Sequence, residues 1–183
     1  TAALGAAKQK GLMLPVVVNT GGYMTVETVR LLAPQVDIWL PDFKYFDPRI
    51  SERYSHAKDY FRVADRAIRE MYRRCGEPVF DDHGLMQKGM IIRHLLLPGQ
   101  IEDSKRILRH LYRQYGNRVY YSLMSQFTPG EEVLGLYPEM NRKVSREEYD
   151  ELVDYALDLG IENGFIQDGE AASESFIPSF KLQ

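Results

Sequence analysis

Residues 36 to 44 read Val-Asp-Ile-Trp-Leu-Pro-Asp-Phe-Lys, and the rest of the chain is organised around this stretch. Its first half is an apolar run that is typical of a buried strand. The Asp42 carboxylate and the Lys44 amine follow at the end of that run, two residues apart. Charged groups at the mouth of a buried strand lose solvation unless something uses them. The stretch therefore predicts a ligand site at a strand end, with a structural ion pair between Asp42 and Lys44 as the alternative.

Strand and helix patterns alternate along the 183 residues. Strands are predicted at 14–19, 36–40, 90–97, 119–124 and 164–167, and helices at 2–10, 24–32, 56–74, 102–115 and 145–159. The valine-rich first run is typical of a strand buried on both faces, Thr25 is a candidate N-cap, and residues 145–148 resemble a capping box. A turn is expected at Asp47-Pro48, a loop or short hairpin at 79–88, and a long loop at 127–141. The order of strands and helices predicts a single α/β domain over residues 1–183 with a parallel sheet. A complete eight-stranded barrel takes about 250 residues, and residues 2–11 have the pattern of the end of a helix. We therefore expect a partial parallel (β/α) barrel that lacks its N-terminal strands, with a small doubly wound domain as the alternative.

The composition argues against several classes of protein. The net charge is −3 and the pI is about 5.8, which argues against a nucleic-acid-binding protein because such proteins usually carry a basic face. No apolar run approaches the roughly 20 residues of a membrane span. Cys75 is the single cysteine, which excludes an internal disulfide and is in keeping with a reducing compartment. We expect a cytoplasmic protein with neither nucleic acid nor membrane as a partner.

Polar side chains recur where the predicted strands end. Ligands collect at the carboxyl ends of parallel strands, so we expect one shared site there. Its candidate residues are Asn19, Thr20, Asp42, Lys44, Arg93 and Gln126, and the last strand adds Gln167 and Asp168. Each candidate also has a purely structural interpretation: a glycine turn for residues 19–22, a carboxylate bridge for Arg93, and a plain strand-end hydrogen bond for Gln126.

Arg93 and His94 interrupt an otherwise apolar strand. Side chains alternate between the two faces of a strand, so the two residues are expected to point in opposite directions. A charged guanidinium requires a polar surrounding, which predicts that Arg93 faces a polar interior. His94 then faces the helix layer, where we expect a structural role. Asp81, Asp82 and His83 lie in a glycine-flanked loop and are expected to be solvated.

Three motifs carry a resemblance to a known family. They are VNTGGY at 18–23, DIWLPDFK at 37–44 and IRHLLLPG at 92–99. Their order and spacing resemble the later strands of radical S-adenosylmethionine enzymes, and are most similar to pyruvate formate-lyase activating enzyme and its uncharacterised relatives. The segment GEAASESFIP at 169–178 resembles those relatives more than the activating enzyme itself.

The resemblance implies a partial (β/α)6 barrel, a [4Fe-4S] cluster and S-adenosylmethionine bound at the carboxyl ends of the strands. By this resemblance Asn19 and Thr20 lie near the methionyl carboxylate, although the family has an aspartate and a nearby monovalent cation where Asn19 stands. Asp42 matches a cation and cofactor ligand, and Lys44 matches a residue near the cofactor carboxylate. Arg93 matches an arginine of the cofactor pocket. Gln126 stands where the activating enzyme has a histidine.

One departure from the family is large. The C-x-x-x-C-x-x-C cluster loop and the Gly-Gly-Glu segment that follows it are absent, and Cys75 alone cannot hold a four-iron cluster. The resemblance thus implies the C-terminal part of a longer enzyme, itself inactive and without catalytic residues or metal ligands. The longer enzyme would cleave S-adenosylmethionine reductively to a 5′-deoxyadenosyl radical and abstract hydrogen. Its implied partners are a glycyl-radical enzyme or other protein substrate, and an electron donor such as flavodoxin or ferredoxin.

Two other functions stay open from the residues alone. The strand-end groups also suit a non-catalytic α/β module that binds a small anionic ligand. Alternatively, Lys44 could serve an aldolase-like or isomerase-like enzyme as a Schiff-base amine.

Overall fold

The computed structural model describes residues 2–130 and 133–166. Gln167, Asp168 and the segment 169–178 lie outside the described residues. The strands are β1 (Val17–Thr20), β2 (Ile38–Pro41), β3 (Val79–Phe80), β4 (Met86–Leu95), β5 (Tyr120–Met124) and β6 (Gly164–Ile166). The helices are α1 (Ala2–Gln9), α2 (Val26–Leu32), α3 (Pro48–Ser55), α4 (Tyr60–Cys75), α5 (Ile101–Tyr115), α6 (Val133–Leu136) and α7 (Arg146–Asp158).

The described strands form one sheet in the order β1-β2-β4-β5-β6. All neighbouring pairs in this order are parallel, and β3 adds an antiparallel hairpin to β4. The predicted α/β class with a parallel sheet is confirmed, and residues 79–88, expected to be a loop or a short hairpin, form the hairpin. The strand order follows the chain without reversal, whereas a doubly wound sheet reverses direction at a switch point. Since parallel crossovers are right-handed, a sequential order brings the connecting helices to the same side.

The two faces of the sheet differ in burial. Trp39, Ile92 and Tyr121 are at most 1% exposed and belong to the single large core cluster, together with residues of α4, α5 and α7. On the opposite face Leu40 and Ile91 are only partly buried. The helices of residues 2–130 and 133–166 therefore leave one face of the sheet comparatively open.

The first strand shows this difference most clearly. A valine-rich run predicted a strand buried on both faces, and this prediction was wrong. Val18 packs against the core, but Val17 is 50% exposed and Asn19 is exposed. The reason is topological: β1 lies at an edge of the described sheet, and its second face belongs to the open side.

Local sequence signals place the starts of α2 and α7 correctly. Thr25 caps α2 by accepting a hydrogen bond from the Thr28 amide at 3.2 Å. Ser145 and Glu148 form the predicted capping box of α7. Side-chain acceptors at these positions satisfy amide groups that have no partner inside the helix.

Other segments differ from prediction. Asp47-Pro48 was expected to be a turn, but Asp47 caps α3 and accepts the Arg49 amide at 2.8 Å, while proline suits a first helical position. The next helix begins at Tyr60 rather than at residue 56, because His56 has a left-handed φ of 50° and ends α3. The predicted loop at 127–141 contains α6 and a 3₁₀ turn at Pro138–Met140. None of the described helices has the length and apolarity needed to cross a bilayer.

Candidate functional site

The backbone that leaves β2 runs between the ends of two neighbouring strands. The Asp42 amide donates to the Thr20 carbonyl at 2.8 Å, and the Phe43 amide donates to the Arg93 carbonyl at 2.8 Å. Asp42 and Arg93 also form a parallel bridge beyond the regular strands. The backbone bonds thereby bring the carboxyl ends of β1, β2 and β4 together around Asp42.

Asp42, Lys44 and Arg93 form a charged group at this edge. Arg93 Nε and Nη2 lie 2.8 and 2.7 Å from Asp42 Oδ1, and Lys44 Nζ lies 3.6 Å from Asp42 Oδ2. Asp42 and Lys44 are in contact although β2 ends at Pro41, and the prediction that Arg93 faces a polar surrounding is confirmed. The side chain of Lys44 is 42% exposed and that of Asp42 is 15% exposed. The group carries two cations and one anion, so it presents a net positive charge through the more open Lys44.

The end of β1 packs tightly against the end of β2. Gly22 has a φ of +74°, and a Cβ added there would lie 2.1 Å from the Asp42 carbonyl oxygen. Only glycine combines a left-handed backbone with such a close approach. Thr20 Oγ1 accepts a long hydrogen bond from the Gly22 amide at 3.4 Å, and Asn19 is exposed one residue earlier. The glycine-turn interpretation is thus correct for Gly22. The pairing of β1 with β2 aligns Asn19 and Thr20 with Leu40 and Pro41, the two residues before Asp42.

Gln126 lies two residues beyond β5, at the same edge of the sheet. Its Nε2 is 3.7 Å from Met124 Sδ, and Met124 is aligned with Leu95, two residues after Arg93 on β4. The structure therefore places Gln126 one strand away from Arg93. Arg93 itself is aligned with Ser122, so this sixth candidate follows the strand next to Arg93, four residues beyond the residue aligned with it.

Buried side chains from three elements hold the segment that carries Asp42 and Lys44. The Tyr60 hydroxyl accepts a hydrogen bond from the Lys44 amide at 2.9 Å, and His94 Nδ1 lies 2.8 Å from the Phe43 carbonyl oxygen. The Asp103 carboxylate accepts the amides of Phe46 and Asp47, each at 2.8 Å. Burial raises the pKa of Asp103 despite these two hydrogen bonds.

Sequence reasoning missed two of these anchors. Tyr60 fits the apolar face of α4, and Asp103 fits the acidic first turn of α5, so neither pattern indicated a site residue. A signal did exist for Tyr60, because an aromatic residue with a hydroxyl that is buried usually requires a hydrogen-bond partner. That signal does not name the partner, which lies 16 residues away in the chain.

His94 is a structural histidine, as its position in the strand predicts. It is 2% exposed, and its Nε2 lies 2.8 Å from Ser104 Oγ on α5. A carbonyl oxygen can only accept, so Nδ1 carries the proton toward Phe43, and Nε2 is an acceptor. The single Ser104 hydroxyl proton is directed at Nε2 and at the Gln100 carbonyl oxygen, 3.1 Å from Oγ. Burial lowers the pKa of His94 to about 4, so the ring is neutral at pH 7.

Replacing His94 by asparagine is expected to remove a pH dependence of stability. Between pH 6.5 and about 4 the unfolded chain binds a proton that the folded chain excludes, so stability falls as the pH falls through this window. Since one pKa unit corresponds to 1.36 kcal/mol, titration of His94 lowers the free energy of unfolding by about 3 kcal/mol at pH 4. Urea unfolding of the wild type and His94→Asn at pH 7 and pH 4 measures the difference. Asparagine keeps an N–H donor near Nδ1 but does not titrate, so His94→Asn should lose less stability between pH 7 and pH 4. Equal losses in the two proteins would contradict a buried, neutral His94.

The residues of this chain do not fit the iron–sulfur cluster that the sequence resemblance implies. Cys75 is buried at the end of α4, and burial raises the pKa of its thiol to about 11, whereas cluster ligands are thiolates. The 16 residues of α4 separate Cys75 from Tyr60 beside Lys44, a distance of about 22 Å along the helix. Within the described residues, no group of three or more His, Cys, Asp or Glu side chains could hold a metal ion.

Fold and site together define an α/β protein with a charged group at the carboxyl edge of a parallel sheet. The chain is 32% identical over 152 residues to an uncharacterized protein of Methanocaldococcus jannaschii, a match that covers 80% of this chain and 40% of that relative. The chain therefore spans less than half the length of the curated relative that it matches. No protein-family model matches the chain.

Proposed function

We propose that this chain is the C-terminal, S-adenosylmethionine-binding part of a radical S-adenosylmethionine enzyme. The observation that supports the proposal most is the contact between Asp42, Lys44 and Arg93 at the carboxyl edge of the sheet. These are three of the residues on which the sequence resemblance to that family rests. Asn19 and Thr20 border the same edge from β1.

The chemistry of the charged group suits the methionyl end of the cofactor. That end is an α-amino acid, with a carboxylate and an ammonium group a few ångströms apart. The exposed Lys44 ammonium suits the carboxylate, and Asp42 suits the ammonium, since charge-assisted hydrogen bonds are the stronger ones. Arg93 holds Asp42 in place from β4. Asn19 is uncharged, so the monovalent cation that the family holds near this position is not part of the proposal.

The topology supports a partial barrel. In a (β/α) barrel the strands follow one another in order with the helices outside, and the described sheet has a sequential order with a core layer on one face. We propose that further strands of a longer protein continue the sheet beyond β1 and close over its open face. The greater length of the Methanocaldococcus jannaschii relative supports this.

The cluster and the reaction belong to the longer protein in this proposal. Cys75 does not fit a cluster ligand, so the cysteines that hold a [4Fe-4S] cluster would lie elsewhere, and this chain alone would be inactive. Bound S-adenosylmethionine would supply the 5′-deoxyadenosyl group, and the chain's own residues would hold its amino-acid end. A cytoplasmic location, a flavodoxin or ferredoxin as electron donor and a glycyl-radical enzyme as the protein substrate complete the proposal.

A non-catalytic module for small anions is the second candidate. The net positive charge of the group and the 42% exposure of Lys44 favour it, because an exposed ammonium suits any small carboxylate. A Schiff-base role for Lys44 is less well supported. Lysines activated for that chemistry lie in apolar pockets or beside other cations, whereas Lys44 lies beside the Asp42 carboxylate and is open to water.

Calorimetry on the full-length protein distinguishes the two candidates. We expect S-adenosylmethionine to bind, methionine to bind more weakly, and succinate to show no measurable heat. Methionine shares only the amino-acid end of the cofactor, so it serves as a matched probe of the charged group. Binding of succinate with an affinity equal to or above that of S-adenosylmethionine would favour the anion module and contradict the first proposal.

A further inference from the structure

Tyr60 connects the two strand ends that carry the candidate site. Its hydroxyl oxygen lies 2.9 Å from the Lys44 amide nitrogen and 3.1 Å from the carbonyl oxygens of both Gly21 and Asp42. The amide donates to the hydroxyl, and the single hydroxyl proton is directed at the two carbonyl oxygens. One side chain of α4 thus contacts the turn after β1 and the peptide groups on either side of Phe43.

The surroundings of Tyr60 keep this hydroxyl protonated and in place. The residue is 3% exposed, and burial raises its pKa. Its ring stacks on Tyr23 with centroids 5.7 Å apart and meets the edges of Phe43 and Tyr45 at 6.2 and 5.3 Å. A ring packed on three sides has little freedom to rotate, so the hydroxyl has a defined position.

Lys44 depends on this contact more than Asp42 does. Asp42 is also held by Arg93 through two side-chain bonds and by Thr20 through its own amide. Lys44 follows the backbone bond from Phe43 to β4, and within the described residues the one ion pair of its ammonium is the 3.6 Å contact with Asp42. The bond from its amide to Tyr60 therefore fixes where the lysine side chain starts.

We propose that Tyr60 is a positioning residue that orients Lys44 for ligand binding. It touches no ligand itself and acts through the Lys44 peptide group. The inference rests on the proposed function, because it assigns Tyr60 a role in the same S-adenosylmethionine site.

Tyr60→Phe in the full-length protein tests the proposal, because phenylalanine keeps the ring and loses only the hydroxyl. The variant loses the bond accepted from the Lys44 amide and the bond donated to the carbonyl oxygens of Gly21 and Asp42. Because the Lys44 amide is left without this partner, we expect the Kd for S-adenosylmethionine to rise about fivefold or more. Tyr45→Phe is the matched control. Tyr45 is 6% exposed, and its hydroxyl bonds Ser55 Oγ at 2.8 Å rather than the Lys44 amide. Phenylalanine keeps its ring, so we expect the Kd to stay within about twofold.

A merely structural role is excluded by repeating Tyr60→Phe in a Lys44→Met background. If Tyr60 acts through Lys44, its removal should change the Kd there by less than about twofold, because coupled residues are not additive. An equal effect in both backgrounds, or an unchanged Kd in the Tyr60→Phe protein with Lys44 present, would overturn the proposal.

Amide hydrogen exchange separates failure of this inference from failure of the proposed function. Tyr60→Phe should speed exchange of the Lys44 amide, and Tyr45→Phe should not. If the wild type binds no S-adenosylmethionine, the proposed function fails, and the exchange rate still decides whether Tyr60 holds Lys44. An unchanged exchange rate of the Lys44 amide in Tyr60→Phe would show that the Tyr60 hydroxyl does not hold this amide.

Discussion

Replacing Gly22 by alanine is expected to lower the free energy of unfolding by about 3 kcal/mol or more. A left-handed backbone costs an L-residue about 1–2 kcal/mol, and the new Cβ would lie 2.1 Å from the Asp42 carbonyl oxygen. That oxygen belongs to the backbone, so it cannot rotate away as a side chain could. The carbonyl of Asp42 would have to move, and the end of β2 with it.

Gly21→Ala is the matched control for this substitution. A Cβ at Gly21 would meet no heavy atom within 4 Å, and the residue is exposed, so we expect a change within about 0.5 kcal/mol. Urea unfolding of the two variants beside the wild type measures both effects. If Gly22→Ala were as stable as Gly21→Ala, the close packing of the β1 turn against Asp42 would be wrong.

Replacing Asp42 by asparagine is expected to weaken the binding of S-adenosylmethionine about 30-fold or more in the full-length protein. The substitution removes the charge that pairs with Arg93 and Lys44 and that would accept the ligand ammonium. A hydrogen bond to a charged group contributes about 1.5–3 kcal/mol, and a 30-fold change corresponds to about 2 kcal/mol. Calorimetric titration measures the Kd.

Asp37→Asn is the matched control for Asp42, because it changes a carboxylate just before the start of the same strand. Asp37 bonds Lys8 Nζ at 3.0 Å and the Val16 amide at 2.8 Å, at the edge of the sheet opposite Asp42. We expect Asp37→Asn to leave the Kd within about twofold. Equal Kd values for the two variants would argue that the ligand does not bind at the carboxyl edge.

Regular patterns in the sequence predicted the sheet well. Apolar runs and turn residues located the main strands. The strand-end rule selected Asp42 and Lys44, and a charge within an apolar strand selected Arg93, which bonds Asp42. Alternation along β4 also separated Arg93 from His94 correctly. These predictions succeed because burial of one strand face and the pleat of the backbone are local properties.

The parts that could not be predicted depend on contacts between distant residues. Asp103 accepts the Asp47 amide across 56 residues of chain, and no spacing rule connects an acidic helix start with a loop so far away. The start of α4 was misplaced because His56, a non-glycine residue, adopts a left-handed conformation that its residue type does not indicate. The open face of β1 depends on which strands neighbour it, and a valine-rich run carries no information about that.

The charged group of Asp42, Lys44 and Arg93 is central to the proposed function, and cleavage of S-adenosylmethionine tests its role most directly. The full-length protein is reconstituted with iron and sulfide, reduced with dithionite, and incubated with S-adenosylmethionine, and 5′-deoxyadenosine is then quantified. We predict 5′-deoxyadenosine from the wild type and from Asp37→Asn, and at least a tenfold slower formation from Asp42→Asn when S-adenosylmethionine is subsaturating. A reconstituted wild type that holds no cluster and releases no 5′-deoxyadenosine would contradict the account.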